Sequence, residues 1–102
     1  MLEPRTPRVG SVSLPTELSV ESWQRCVVGM LTALECAQGH LLVECAELRS
    51  FDEGGLAMLI GLSRYSERRQ VRVVLANPPE ILRQGLELRG LGWLFEWRPL
   101  LP

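Results

Sequence analysis

The chain has 102 residues, 46% of them hydrophobic and 23% charged, the composition of one globular domain and not of a disordered segment. Its net charge of −1 gives no strong positive field for phosphates, which argues against nucleic acid as a partner. All basic side chains are Arg, Asp52 is the one aspartate and His40 the one histidine, so a Walker phosphate loop, a lysine Schiff base and a multi-histidine zinc site are all excluded.

Residues 1 to 8 carry two prolines and two arginines and read as a flexible lead-in to a domain over 9 to 98, with 99 to 102 as a tail. VGSVSL (9 to 14) is short and β-biased and ends at Pro15, which predicts one modest strand. A helix is expected over 19 to 37, with Val20, Trp23, Val27, Met30, Leu31 and Leu34 on one face, Ser19 as N-cap and Gly39 as the stop. In HLLVECAEL, Leu41, Leu42 and Val43 are consecutive, as in a strand covered on both faces.

GGLAMLIGLSRYSERR reads as a second helix with Leu56, Leu59 and Ile60 inward and Arg64, Glu67 and Arg68 in water. VRVVLA is a β-branched strand, NPP turns the chain, and PEILRQGLELR is a third helix ending at Gly90. The aromatic tail LGWLFEW is extended and predicts a last short strand. The order β-α-β-α-β-α-(β) implies an α/β fold: a sheet of about four strands containing parallel pairs joined by crossover helices.

Ligand and partner contacts in such sheets favour the carboxyl ends of the strands. Here that edge carries LRSFDEGGL. Asp52 is placed to cap the second helix, and Glu53 to meet the positive end of its dipole. Gly54 and Gly55 allow a backbone or an anion to approach, although the two carboxylates would repel an anion. Locally, this is ordinary helix capping.

The stretch LLVECAELRSFDEGGLAMLIGLSRY resembles the STAS domain, the fold of bacterial anti-sigma-factor antagonists. Glu44 and Asp52 keep the family's eight-residue offset, and DEGGL stands where Asp-Ser-Ser-Gly-Leu would be. LANPPEILRQGLELRGLGWLFEW resembles the family's ending, and TELS (16 to 19) its Gly-Glu-Leu-Asp turn, matched only at Glu17 and Leu18. The resemblance covers residues 9 to 98. It implies a STAS-like mixed sheet and a non-catalytic module of cytoplasmic signalling or transcription regulation. Docking would run through Glu17, Ser19, Asp52, Glu53, Gly54, Gly55 and Leu56. The partner would be an anti-sigma kinase, another switch protein or the subunit of a membrane transporter, including an ABC-type lipid transporter.

One departure bears on regulation. The family's phosphoacceptor serine falls on Gly54, which has no hydroxyl, and Ser50 and Ser63 lie at the wrong offsets. Glu53 as a mimic of the phosphorylated state is a sharper idea, but one residue along a helix turns the side chain by about 100°. Dipole pairing is the simpler reading of Glu53. Regulation through the partner is therefore expected in place of a phospho-switch on this chain.

Other features read as structural. A strand rises ~3.3 Å per residue, so His40 and Cys45 would be ~16 Å apart and cannot share a metal. No metal and no cofactor are expected, and Cys26, Cys36 and Cys45 read as buried, reduced thiols. Trp23 reads as core, Trp93 and Trp97 as core filler alternating around Phe95, and Arg68 and Arg69 as a solvated helix end. MLEPRTPRVG lacks the apolar core of a secretory signal, which predicts a cytoplasmic protein without membrane insertion. The short first strand leaves a sheet edge on which a homodimer can form. The competing class, a small enzyme using Asp52 or Glu53 as general base, lacks a paired His, Lys or nucleophile.

Overall fold

The computed structural model describes residues 10–99. Its elements are β1 (Gly10–Ser13), β2 (Glu17–Leu18), α1 (Val20–Cys36), β3 (His40–Glu44), β4 (Ser50–Phe51), α2 (Glu53–Arg68), β5 (Arg72–Ala76), α3 (Glu80–Leu88), a 3₁₀ turn (Gly92–Leu94) and β6 (Glu96–Arg98). The expected lead-in and nearly all of the expected tail lie outside the described residues. Helix ends agree with the expected punctuation: Ser19 caps α1, Asp52 caps α2, and Gly90 takes φ +68° just beyond α3.

Four strands form the main sheet in the order β1-β3-β5-β6. Among the described residues every pairing in it is parallel, so the mixed sheet anticipated above takes an all-parallel form. The reason is that each neighbouring strand is reached through a helical crossover, which returns the chain to the same end. All three crossovers also advance in one direction across the sheet. Right-handed connections then place all three helices on one face.

Packing agrees. A Cβ added to Gly10 would lie 2.2 Å from the Ala33 carbonyl oxygen, so α1 rests directly on β1. On α3, the Arg83 guanidinium stands 5.6 Å from the Trp97 ring centre. Gly10, Val12, Leu41, Val43, Val73, Leu75 and Trp97 share this face by register, and the core lies between it and the helices. Leu18, Leu56, Leu59, Leu82, Leu86 and Phe95 are among its other members. Each such fully buried side chain contributes about 1.5–3 kcal/mol over its exposed state.

The other face carries Ser11, Ser13, His40, Leu42, Glu44, Arg72, Val74, Ala76, Glu96 and Arg98 in register. The expectation that Leu41–Val43 is covered on both faces is therefore corrected: Leu41 and Val43 are buried and Leu42 only half-buried. Among the described residues no helix covers this face. Polar side chains occupy it, with His40 Nε2 reaching across β5 to within 3.7 Å of Glu96 Oε1, and Arg98 Nε donating to Glu96 at 2.8 Å.

Three further differences have simple causes. Val20 and Leu31, placed on the inward stripe of α1, are 44% and 41% exposed, because the stripe that helix buries deeply is narrower and runs through Ser22, Trp23, Met30 and Leu34. The tail does not alternate. The 3₁₀ turn, held by Ser63 Oγ donating to the Leu94 carbonyl at 3.0 Å and by Trp97 Nε1 donating to Gly92 at 2.9 Å, buries Phe95 and leaves Trp93 66% exposed. Of the three thiols only Cys45 is buried; Cys26 is half-buried, and Cys36, at the last turn of α1, is exposed.

Candidate functional site

The segment read as a turn, TELS, pairs with the stretch just before α2. Glu17 aligns with Ser50 and Leu18 with Phe51 in a two-residue parallel ladder. The Thr16 carbonyl also accepts from Arg49 N at 2.7 Å and Ser50 N at 3.1 Å, and the Leu18 carbonyl from Asp52 N at 3.1 Å. This small second sheet brings the starts of α1 and α2 together at the carboxyl edge of the main sheet. Two residues per strand carry no readable periodicity, which is why the pairing was missed.

Each helix start is closed by its own chemistry. Ser19 Oγ accepts from Ser22 N at 3.1 Å while Ser22 Oγ accepts from Ser19 N at 2.8 Å, a reciprocal capping box. Asp52 Oδ1 accepts from Gly55 N at 2.7 Å, satisfying a donor that the first turn of α2 leaves free.

The two glycines play different parts. A Cβ on Gly55 would fall 2.1 Å from the Leu18 carbonyl oxygen, so the close approach it permits is to the chain's own backbone. A Cβ on Gly54 would lie 2.7 Å from Val20 Cγ2. A valine methyl from α1 thus covers the place where the side chain of a residue at 54 would start. Val20 was assigned to the core stripe in the sequence; its position over Gly54 depends on β2–β4 pairing and has no local signal.

Glu17, Asp52 and Glu53 are exposed, Ser19 and Gly54 partly exposed, and Gly55 and Leu56 buried. Leu56, 1% exposed, belongs to the core. Glu53 is paired with the Arg89 guanidinium, whose Nη1 also donates to the Gly85 carbonyl at 2.7 Å. That ties the start of α2 to the end of α3 across a sequence gap no spacing rule could have bridged. Gly85 itself makes room for the Phe51 ring: a Cβ there would lie 2.6 Å from Phe51 Cζ.

Glu44, at the end of β3, accepts from the Asn77 side-chain amide at 3.1 Å and from Ala46 N at 2.9 Å. It fastens the ends of β3 and β5 behind the turn. Beside it, burial first and the Glu44 carboxylate second push the Cys45 thiol up to about 12, so this sulfur is a packing group and not a nucleophile. Ser50 is exposed, and Ser63 is buried with its hydroxyl already donated to Leu94.

Chemically, the arrangement holds shape. Asp52 is engaged with its own helix and Glu53 with Arg89. His40 begins β3, whereas the turn lies beyond that strand's other end, about 13 Å further along. Among the described residues no group of three His, Cys, Asp or Glu side chains is placed to hold a metal ion, and no helix is long and apolar enough to cross a membrane.

The fold and the turn together define a one-sided parallel α/β module whose exposed feature is a pair of tightly capped helix starts. The chain belongs to the STAS domain family: the family model described as "Mlab, STAS domain" matches residues 1–99. Neither a curated protein nor a solved structure matched the chain. Members of this family are regulatory and binding modules, generally non-catalytic, and commonly mediate protein–protein contacts.

Proposed function

We propose that the chain is a non-catalytic docking module that binds its protein partner through the exposed edge of the β2–β4 turn, at Glu17, Ser19, Asp52, Glu53 and Gly54. The observation that carries this reading is the immobilised turn. Asp52 caps Gly55, Gly55 seats on Leu18, and Asp52 N bonds to the Leu18 carbonyl. A surface held in one shape before binding loses little conformational entropy on docking. Gly55 and Leu56 act here as supports beneath that surface.

Gly54 has no hydroxyl, and Val20 covers the position where one would be carried. The module is therefore constitutively competent, with control exerted on the partner. An anti-sigma kinase-type protein or another cytoplasmic bacterial switch protein, and through either one transcription, fits this surface. So does the cytoplasmic subunit of an ABC-type lipid transporter. The missing hydroxyl favours the transporter reading, since a permanently assembled subunit needs no phospho-switch.

The test combines two measurements. After incubation with an anti-sigma kinase and ATP, the intact mass of the chain is expected to stay constant. A stoichiometric gain of one phosphate sinks the constitutive reading. In binding assays with the same kinase and with a transporter ATPase subunit, Gly54→Trp and Glu17→Arg are expected to abolish the interaction while leaving the far-UV spectrum and melting transition in place. Binding retained by both folded variants would move the interface away from the turn.

A further inference from the structure

Seven large hydrophobic side chains are conspicuously exposed among the described residues, and four of them, Val20, Val28, Leu31 and Tyr65, belong to α1 and α2. Between these helices runs an open apolar groove lined by Trp23, Val27, Leu31, Met58, Leu62 and Tyr65. Such a contiguous apolar surface rimmed by polar groups marks an association site. Ala57 and Gly61 form part of its wall on α2.

Gly61 is the second observation. A Cβ there would meet nothing within 4 Å, and its backbone is ordinary helix, so neither crowding nor conformation within the monomer calls for glycine. Mid-helix glycine is unfavourable relative to alanine. Gly29, in the middle of α1, is equally open but lies outside the groove; Gly61 lines it, and there a bare backbone accommodates a helix packed closely from outside. Gly61 also sits at the middle of α2, which runs from Glu53 to Arg68.

The third observation is charge. α1 and α2 are successive crossovers of the same hand, so they lie side by side in the same direction. At their starts stand Glu17, Glu21, Asp52 and Glu53, all exposed. At the far end of α2, helical spacing continues the Gly54, Ala57, Gly61 and Tyr65 stripe into Arg68 and Arg69, with Arg69 stacked on Tyr65 at 4.7 Å. The α2 edge of the groove is therefore acidic at Asp52, Glu53 there being paired with Arg89, and basic at Arg68 and Arg69, while Glu35 keeps the far end of the α1 edge acidic. A two-fold axis through its middle sets the acidic end of each α2 edge against the partner's basic end and brings the two Gly61 positions together.

We propose that the α1–α2 face is the interface of a homodimer, in which a second copy packs antiparallel across this groove. Two neighbouring helices of this length offer a face about 25 Å by about 20 Å, or about 1,000 Å² over both copies. That is the small end for specific interfaces, the size class of weak and transient association.

Sedimentation of the whole chain between about 1 and about 300 µM reads this directly. The weight-average mass is expected to rise from 11.5 kDa toward twice that value. Leu31→Arg, at a side chain already 41% exposed, and separately Gly61→Trp, should each weaken association at least about tenfold without lowering helicity. Reversing Arg68 and Arg69 to Glu should do the same, and mixing that variant with Glu21→Arg should restore dimers. A mass fixed at 11.5 kDa over the range overturns the proposal. A dimer whose dissociation constant is unchanged in both folded groove variants overturns it as well.

Discussion

Gly54 and Gly55 are neighbours of identical chemistry, yet the structure separates what their replacement should do. At Gly55 a methyl group would sit 2.1 Å from a backbone carbonyl, and neither partner can give way without breaking the β2–β4 pairing. Gly55→Ala is expected to cost about 3 kcal/mol or more in urea unfolding. At Gly54 the obstacle is the tip of a half-exposed valine, which can turn aside, so Gly54→Ala should stay within about 1 kcal/mol of wild type. Gly29 sets the opposite sign. It lies in the middle of α1 with open space where a Cβ would go, and Gly29→Ala should stabilise by about 0.5–1 kcal/mol. The sequence placed Gly54 and Gly55 together at the start of the second helix, where the structure has them. What it could not supply is the contact each one makes, because Leu18 and Val20 reach them from more than thirty residues away.

At the scale of the element, the caps were legible and the small sheet was not. Asp52 and Ser19 announce themselves because capping is a local reaction between a side chain and the next turn of backbone. The helices and the four main strands were legible for the same kind of reason, a hydrophobic period sustained over several residues. The 3₁₀ turn escaped because Trp93, Phe95 and Trp97 mimic the alternation of a strand, while Ser63, from α2, holds Leu94 in a helical turn instead. Asp52→Ala removes the acceptor for Gly55 N and should cost about 1 kcal/mol, with Asp52→Asn close to neutral. Its more telling effect is local. Amide exchange at Gly55 and Leu56 should accelerate well beyond the global change in stability, and partner affinity should fall with it, because the turn then pays its ordering entropy on docking. Unchanged exchange at Gly55 would mean that the Leu18 contact alone holds the turn.

Across the whole molecule, the Arg-only basic set that excluded enzyme classes also makes the alkaline range unusually easy to read. Cys45 lies fully inside the core, between the end of β3 and the loop that leads to β4, and its thiol is pushed up to about 12 from its ordinary value of 9.0. Below pH 9 the thiol is protonated in both the native and the unfolded chain, so its contribution to stability is complete there. Above pH 9 the unfolded chain releases the proton while the native chain retains it, and stability falls as pH rises toward 12. The slope approaches about 1.4 kcal/mol per pH unit, which gives a loss of about 2 kcal/mol between pH 8 and pH 10.5. In most proteins of this size lysines would change charge in the same window; this chain has none, and a single tyrosine. Urea unfolding of wild type and Cys45→Ala at the two pH values therefore isolates one group. The variant starts lower, since a buried side chain has been truncated, but its stability should change much less between the two pH values. An equally steep loss in Cys45→Ala would place the alkaline sensitivity elsewhere in the chain and leave Cys45 as packing without a titration signature.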